Sequence, residues 1–190
     1  MLRVRKLRNL AEANSANLLY QRGDEAWQGG QLRPAFRFFL AAAKSGMVAA
    51  FSTVGNFYDH AIGVKANRDA ALYWYRLAYR NGARSVANNI GCILRDRKRL
   101  RQAIKWFRRA VRQNDGDANL NIAKIYLGRG DFSRAERYLQ TTAESAWATE
   151  ASKEEANLLL RELRTRTAKR SDPKSRPKNS AGRGRRRQQA

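Results

Sequence analysis

A short pattern of small and large residues recurs along the chain at helical spacing. Ala35, Phe38, Phe39 and Ala42 are followed by Ala71, Trp74, Tyr75 and Ala78, then by Ala103, Trp106, Phe107 and Ala110, then by Ala135, Tyr138, Leu139 and Thr142. Offsets of 0, 3, 4 and 7 put each set on one face of a helix, with small residues where a neighbouring backbone approaches and rings filling the gaps. A companion pattern lies upstream of each: Gly23 and Ala26; Val54, Gly55 and Tyr58; Ile90, Gly91 and Leu94; Ile122, Ala123 and Tyr126. Its small residue precedes the second helix's Ala by 12 positions in copies one, three and four and by 16 in copy two, so copy two carries four extra loop residues. Each copy is therefore predicted to be a helix hairpin. A single hairpin cannot bury its own apolar face, so the copies must stack.

Turn chemistry divides the chain at the same places. Gly29 and Gly30 separate the two helices of copy one with Pro34 opening the second, and Gly130 and Asp131 do so in copy four. Gly46, Asn81 with Gly82, and Asn114 to Gly116 stand between copies, where helices should end. After copy four, Ser152 and Glu155 form a capping-box signature ahead of Leu158, Leu159, Leu160 and Leu163, and the open end of a stack needs such a covering helix. The expected organisation is a basic N-terminal segment at 1–11, repeats at 12–146, a capping helix at 147–168 and a disordered basic tail at 169–190.

Copy two, from Val54, Gly55 and Tyr58 through Gly63 and Val64 to Ala71, Trp74, Tyr75, Ala78 and Gly82, followed by Asn89, Ile90 and Gly91, resembles a Sel1-like repeat. Copies one, three and four, without the extra residues, resemble the related tetratricopeptide repeat. Four departures stand out: Arg22 where the other copies are apolar, Asn67 where the Sel1-like pattern has Asp, and Met47 and Ala83 in place of an inter-repeat Pro. The resemblance implies an all-α fold, a right-handed α-α superhelix or solenoid whose first helices line a concave groove and whose second helices form the back. It also implies a scaffold that holds peptides or partner proteins. The family's groove positions fall on Tyr20 and Trp27 in copy one, Asn56, Asp59 and His60 in copy two, Asn88 and Arg95 in copy three and Lys124 in copy four. Asn56, Asn88, Arg95 and Lys124 together are faintly similar to a clamp on a peptide's terminal carboxylate, although they miss the clamp's own positions. The other reading is a polar, solvated groove with no carboxylate site.

Charge changes the picture of the back. Thirty-nine Lys and Arg against 16 Asp and Glu give +23, a surplus that repels itself unless something acidic lies near. Offsets 2, 5 and 9 from each second-helix Ala point away from the core, about 140–200° around a helix. They hold Arg37, Lys44, Arg76, Arg80, Lys105, Arg108, Arg112 and Arg137. Stacking should align these into a basic ridge, extended by Arg95, Arg97, Lys98, Arg99 and Arg101. The alternatives are an ordinary solvated face and a surface for polyanions. Residues 164–190 carry 11 Lys and Arg and one acid, and the remaining chain is still +13. In that tail, Arg183, Arg185, Arg186 and Arg187 are similar to short arms that neutralise nucleic-acid phosphates, and a solubilising tail has the same composition.

Several chemistries lack their parts. His60 is the single histidine and Cys92 the single cysteine, so no multi-His metal site, His-based catalytic relay, internal disulfide or Cys-based zinc site can be assembled. No phosphate loop, dinucleotide fingerprint or run of about 18 apolar residues occurs. The sequence therefore predicts a non-enzymatic, cofactor-free, cytoplasmic protein without a membrane span. Its expected partner is an acidic or extended protein segment, with RNA or DNA bound through the ridge and tail as the alternative.

Overall fold

The computed structural model describes the backbone of residues 2–171 and the side chains of residues 14–166. Within these it is all helical. Four hairpins follow one another: α1 (Leu2–Gln28) with α2 (Leu32–Lys44), α3 (Val48–Asp59) with α4 (Arg68–Arg80), α5 (Ala87–Asp96) with α6 (Leu100–Val111), and α7 (Asp117–Gly128) with α8 (Phe132–Ala143). A single 3-10 turn, Arg84–Val86, leads into α5, and α9 (Glu150–Ser171) closes the series. The two helices of each hairpin pack on one another, and each hairpin packs on the element that follows it in chain order, which makes a solenoid.

Local bonding explains why the helices stop where they do. After each of α1 to α7 the chain turns through a left-handed residue: Gly30, Gly46, Ala61, Gly82, Lys98, Asn114 and Gly130. The next amide in each case reaches back to the carbonyl five residues earlier, as in Gln31 N to Ala26 O at 2.8 Å and Asp131 N to Tyr126 O at 3.0 Å. This bonding satisfies carbonyls that the helix end would otherwise orphan. Copy three makes the same turns with Lys98 where copies one and four have glycine, and with Asn114 where copies one and two have it.

The joint inside each hairpin repeats as the spacing predicts. Phe39, Tyr75, Phe107 and Leu139 are buried, and the flanking Ala35, Ala71, Ala103 and Ala135 are fully so. A Cβ added to Gly23, Gly55 or Gly91 would lie 2.7, 2.7 and 2.5 Å from the rings of Phe39, Tyr75 and Phe107 respectively. Each first helix thus lacks a side chain where the second helix inserts a ring. In copy four an Ala, Ala123, meets the smaller Leu139, and both are buried. Burying one such side chain is worth about 1.5–3 kcal/mol.

The extra residues of copy two form the connection 60–67, against 29–31, 97–99 and 129–131 in the other hairpins. The long connection folds back on copy one: Gly63, at φ +62, approaches so closely that a Cβ would sit 2.4 Å from the Leu32 carbonyl. Asn67 then caps α4, its side-chain oxygen accepting from the Asp69 and Ala70 amides at 3.1 and 3.0 Å. An amide oxygen does there what the carboxylate of the Sel1-like pattern would do.

The last helix differs from expectation in detail. Its cap is Thr149, not Ser152: the Ser152 amide donates to Thr149 Oγ1 at 3.3 Å. Thr149 is itself fixed from another repeat, its amide and hydroxyl donating to Asp117 Oδ1 at 2.8 and 3.1 Å. That tether starts the helix earlier than the local sequence signature suggests. Ala156, Leu160 and Leu163 cover Leu120, Ala123 and Leu139, whereas Leu158 faces solvent. The helix runs to Ser171, three residues into the stretch expected to be disordered. Lys169 and Arg170 are good helix formers suited to a helix C-terminus, and Pro173 follows closely. At the other end, α1 begins at Leu2, so the basic segment 1–11 is continuous with the first helix. The remainder of the tail, with Arg183, Arg185, Arg186 and Arg187, lies outside the described residues. Among those described, no helix is long and apolar enough to cross a membrane.

Candidate functional site

The first helices of copies one to three form a groove of about 400 Å³ lined by Tyr20, Asp24, Trp27, Ser52, Thr53, Asn56 and Asn89, with Phe39, Phe57 and Tyr75 beneath them. Tyr20, Asp24 and Trp27 stand three or four residues apart, which places them along one face of α1. The rings hold one another in place: Tyr20 meets Phe39 edge-on at 5.0 Å and Trp27 meets Phe57 at 4.8 Å. Trp27 remains 41% exposed, an aromatic surface open to a partner. Asn89 Nδ2 donates to the Tyr75 hydroxyl at 3.1 Å. Burial of that phenol outweighs the bond from Asn89 and pushes its pKa up to about 12.

The continuation of this face is built differently. Asn121 Nδ2 donates to Asn88 Oδ1 at 3.1 Å, and Arg95 Nη1 donates to Asn121 Oδ1 at 2.8 Å. Lys124 pairs with Glu155 of α9 at 2.8 Å. Asn88, Arg95 and Lys124 are therefore engaged, and Asn56 belongs to the other half, so the four clamp-like residues do not converge. Asp59 faces Arg68 at 3.9 Å, and Arg68 also meets Asp96 at 2.8 Å. His60 is exposed at the C-terminal end of α3, where the long connection begins. His60 thus lies at the hairpin turn, whereas Asp59, at the end of α3, also stands near the Tyr75 hydroxyl of the groove floor. Asp24, Thr53, Asn89 and Asn121 were not singled out from the sequence. Single polar residues on an amphipathic helix carry no signal of their own, although Asn89 directly follows the groove position Asn88.

The back has the opposite character. Arg37, Lys44, Arg80, Lys105, Arg108, Arg112 and Arg137 are exposed and Arg76 is half-buried. None of them has a carboxylate within ion-pair distance among the described residues. Arg95 and Arg97 do not extend the ridge: the first is held in the groove, and the second pairs with Asp69 at 2.8 Å. Tyr73, 60% exposed, stands at the ridge offset of α4. Arg109 lies over the ring of Trp106 at 4.3 Å, a desolvating cation–π contact on the same side of the stack. Where α6, α7 and α8 meet, a cavity of about 340 Å³ is lined by Arg108, Arg134, Arg137, Tyr126, Tyr138 and Thr141.

No group of three or more potential metal ligands occurs among the described residues. Cys92 is half-buried on α5, and burial raises its thiol pKa, which disfavours the nucleophilic thiolate.

A family model for the tetratricopeptide repeat matches residues 84–112, the span of the 3-10 turn, α5 and α6. A Sel1 repeat protein from Oxalobacter formigenes superposes with a TM-score of 0.59 at 24% identity over 77% of this chain. The protein c5321, a protective antigen present in uropathogenic Escherichia coli strains and displaying an SLR fold, gives 0.58 at 23% identity over 75% of it. The fold is that of a Sel1-like, tetratricopeptide-like repeat protein. The aligned region spans 62% of the first of these structures and 33% of the second. No curated protein matches the chain. Repeat proteins of these families generally mediate protein–protein interaction and are typically non-enzymatic scaffolds.

Proposed function

We propose that this protein is a non-enzymatic scaffold that holds an extended segment of a partner protein against the first helices of copies one to three. The observation that carries this reading is the contrast within the groove. Between α1 and α5, Trp27, Tyr20, Asn56 and Thr53 line open space, with a long Tyr20–Thr53 contact at 3.4 Å, whereas from Asn88 onward the polar groups are held by Asn121, Arg95 and Glu155 in closer bonds. Rigid aromatic rings supply contact area at little entropic cost, and side-chain amides can donate to and accept from the backbone of an extended peptide. Among the described residues lining this cavity the charged one is Asp24, with Asp59 near its floor, so a preference for acidic partners would come from the +23 field of the whole chain, which steers encounter, rather than from groove contacts.

The test begins by selecting ligands for the full chain from a displayed library of unstructured peptides. Trp27→Ala with Asn56→Ala should weaken the selected peptides by about tenfold or more, and Asn88→Ala with Lys124→Ala should leave them nearly unchanged. The reverse order of effects would refute the assignment.

A second reading is favoured by the ridge, whose cations lack carboxylate partners among the described residues and which includes the exposed ring of Tyr73. On this reading the back binds nucleic acid through its phosphates, without sequence preference, with Tyr73 offering a face for base stacking. Affinity for a mixed-sequence oligonucleotide should then fall steeply with salt, and no binding near 50 mM salt would refute it.

A further inference from the structure

We infer that the cavity where α6, α7 and α8 meet is a phosphate-binding pocket that anchors one phosphodiester of a nucleic-acid strand running along the back. This rests on the second reading above and assigns it a defined site. Six residues line the cavity; three are arginines and none is acidic. Arg134 is paired with Asp131 at the start of α8 and lies over the ring of Tyr126 at 4.9 Å, so it is both partly neutralised and held in place. Arg108 Nη2 donates to the Tyr138 hydroxyl at 3.4 Å, which leaves that hydroxyl's own proton free to donate into the cavity. Arg137 has no carboxylate partner among the described residues. The rings beneath are stiff, Tyr126 and Tyr138 stacking at 5.7 Å with planes 17° apart.

Three guanidiniums brought together from α6 and α8 repel one another, and one neighbouring carboxylate offsets only part of that cost. A bound oxyanion would offset the rest. Guanidinium forks match phosphate oxygens in pairs, and the tyrosine hydroxyl adds a neutral donor. Thr141 does not compete for the role, because its hydroxyl donates to the Arg137 carbonyl at 2.9 Å.

The choice of a strand over an isolated phosphate group follows from what surrounds the pocket. Lys105 and Arg112 flank Arg108 on α6, and Arg76 and Arg80 occupy the equivalent face of α4. A phosphorylated side chain would fill the pocket and leave these cations unmatched. A strand brings successive phosphates to the cations of α4, α6 and α8 in turn.

The test titrates a labelled mixed-sequence oligonucleotide with the full chain by fluorescence anisotropy at several salt concentrations. Arg108→Ala with Arg137→Ala should weaken binding about tenfold and flatten the salt slope by about one, since both cations serve the same phosphodiester. The charge-matched pair Arg37→Ala with Lys44→Ala, on copy one, should cost about threefold. Arg108→Lys with Arg137→Lys keeps the charge and loses the fork, and should stay close to the alanine pair rather than to the parent protein. All four positions are exposed, so each variant should unfold at the parent's temperature, which circular dichroism checks. Equal losses from the two alanine pairs, or full recovery with lysine, would overturn the pocket and leave a diffuse basic back standing. Absence of oligonucleotide binding at low salt would remove both. A phosphoserine peptide that binds through Arg108 and Arg137 while the oligonucleotide ignores them would also overturn the inference.

Discussion

The two halves of the first-helix face are made from the same repeat and reach opposite states. Between α1 and α5 the second helices push aromatic rings under the surface, and the polar residues above them border open space. Beyond α5 the joint in copy four is Ala123 against Leu139, and the polar residues are spent on one another and on Glu155 of α9. On the proposed reading, stacking geometry fixes where a groove can be, and the contacts of Arg95, Asn121 and Lys124 with neighbouring copies decide which part of it is left to a partner. A terminal helix that closes the apolar end of the stack also occupies the adjacent groove cation.

The comparison can be broken at its floor. Tyr75 is the buried tyrosine of the open half. Its folded phenol ionises at about 12, against about 10 when unfolded, so between those values the unfolded chain binds fewer protons and stability falls as pH rises. The protein should lose about 2 kcal/mol through this group across that window, measured by denaturant unfolding at stepped pH. Tyr75→Phe should remove that part of the slope, and an unchanged slope would contradict the burial argument.

The hairpin joint gives the next effect. Gly91→Ala would place a Cβ 2.5 Å from the buried Phe107 ring. Overpacking costs about 1–3 kcal/mol, offset in part by the roughly 1 kcal/mol that Ala gains over Gly in a helix. A net loss of about 1–2 kcal/mol is expected. Adding Phe107→Leu converts this joint to the Ala and Leu pair of copy four and should recover much of the loss, so the two substitutions should be strongly coupled in a double-mutant cycle.

Smaller changes should sharpen the contrast in the other half. Asn121→Ala removes both bonds that tie Asn88 to Arg95 and should cost about 1 kcal/mol, while freeing those two groups. Lys124→Ala breaks an exposed pair and should cost under about 0.5 kcal/mol. If Asn121→Ala also made the distal half competent to bind the selected peptides, self-pairing would be confirmed as what closes it.

The repeats were legible because their signal is local. Ala, ring and Ala at offsets 0, 4 and 7 lie on one helix, and a ring needs an absent side chain opposite it, so the positions of Gly55 and Gly91 could be read with those of Tyr75 and Phe107. The left-handed turns at Gly30, Gly46, Gly82 and Gly130 were equally visible, since glycine marks them. The groove was legible only by position. Tyr20, Trp27 and Asn56 line it, but Asn88, Arg95 and Lys124 are engaged by Asn121 and Glu155, the latter 31 residues away in sequence from Lys124. Thr149 displaced Ser152 as the cap for a similar reason: Asp117, 32 residues earlier, holds it. Contacts of that range depend on how neighbouring copies register, which no single helix encodes.

The most direct measurement is amide hydrogen exchange of the full chain with and without a peptide selected on it. Added protection should concentrate on α1, α3 and the N-terminal part of α5, around Trp27, Asn56 and Asn89, with α7 and α9 unchanged. Protection centred on α7 and α9, or on the second helices alone, would contradict the division of the groove.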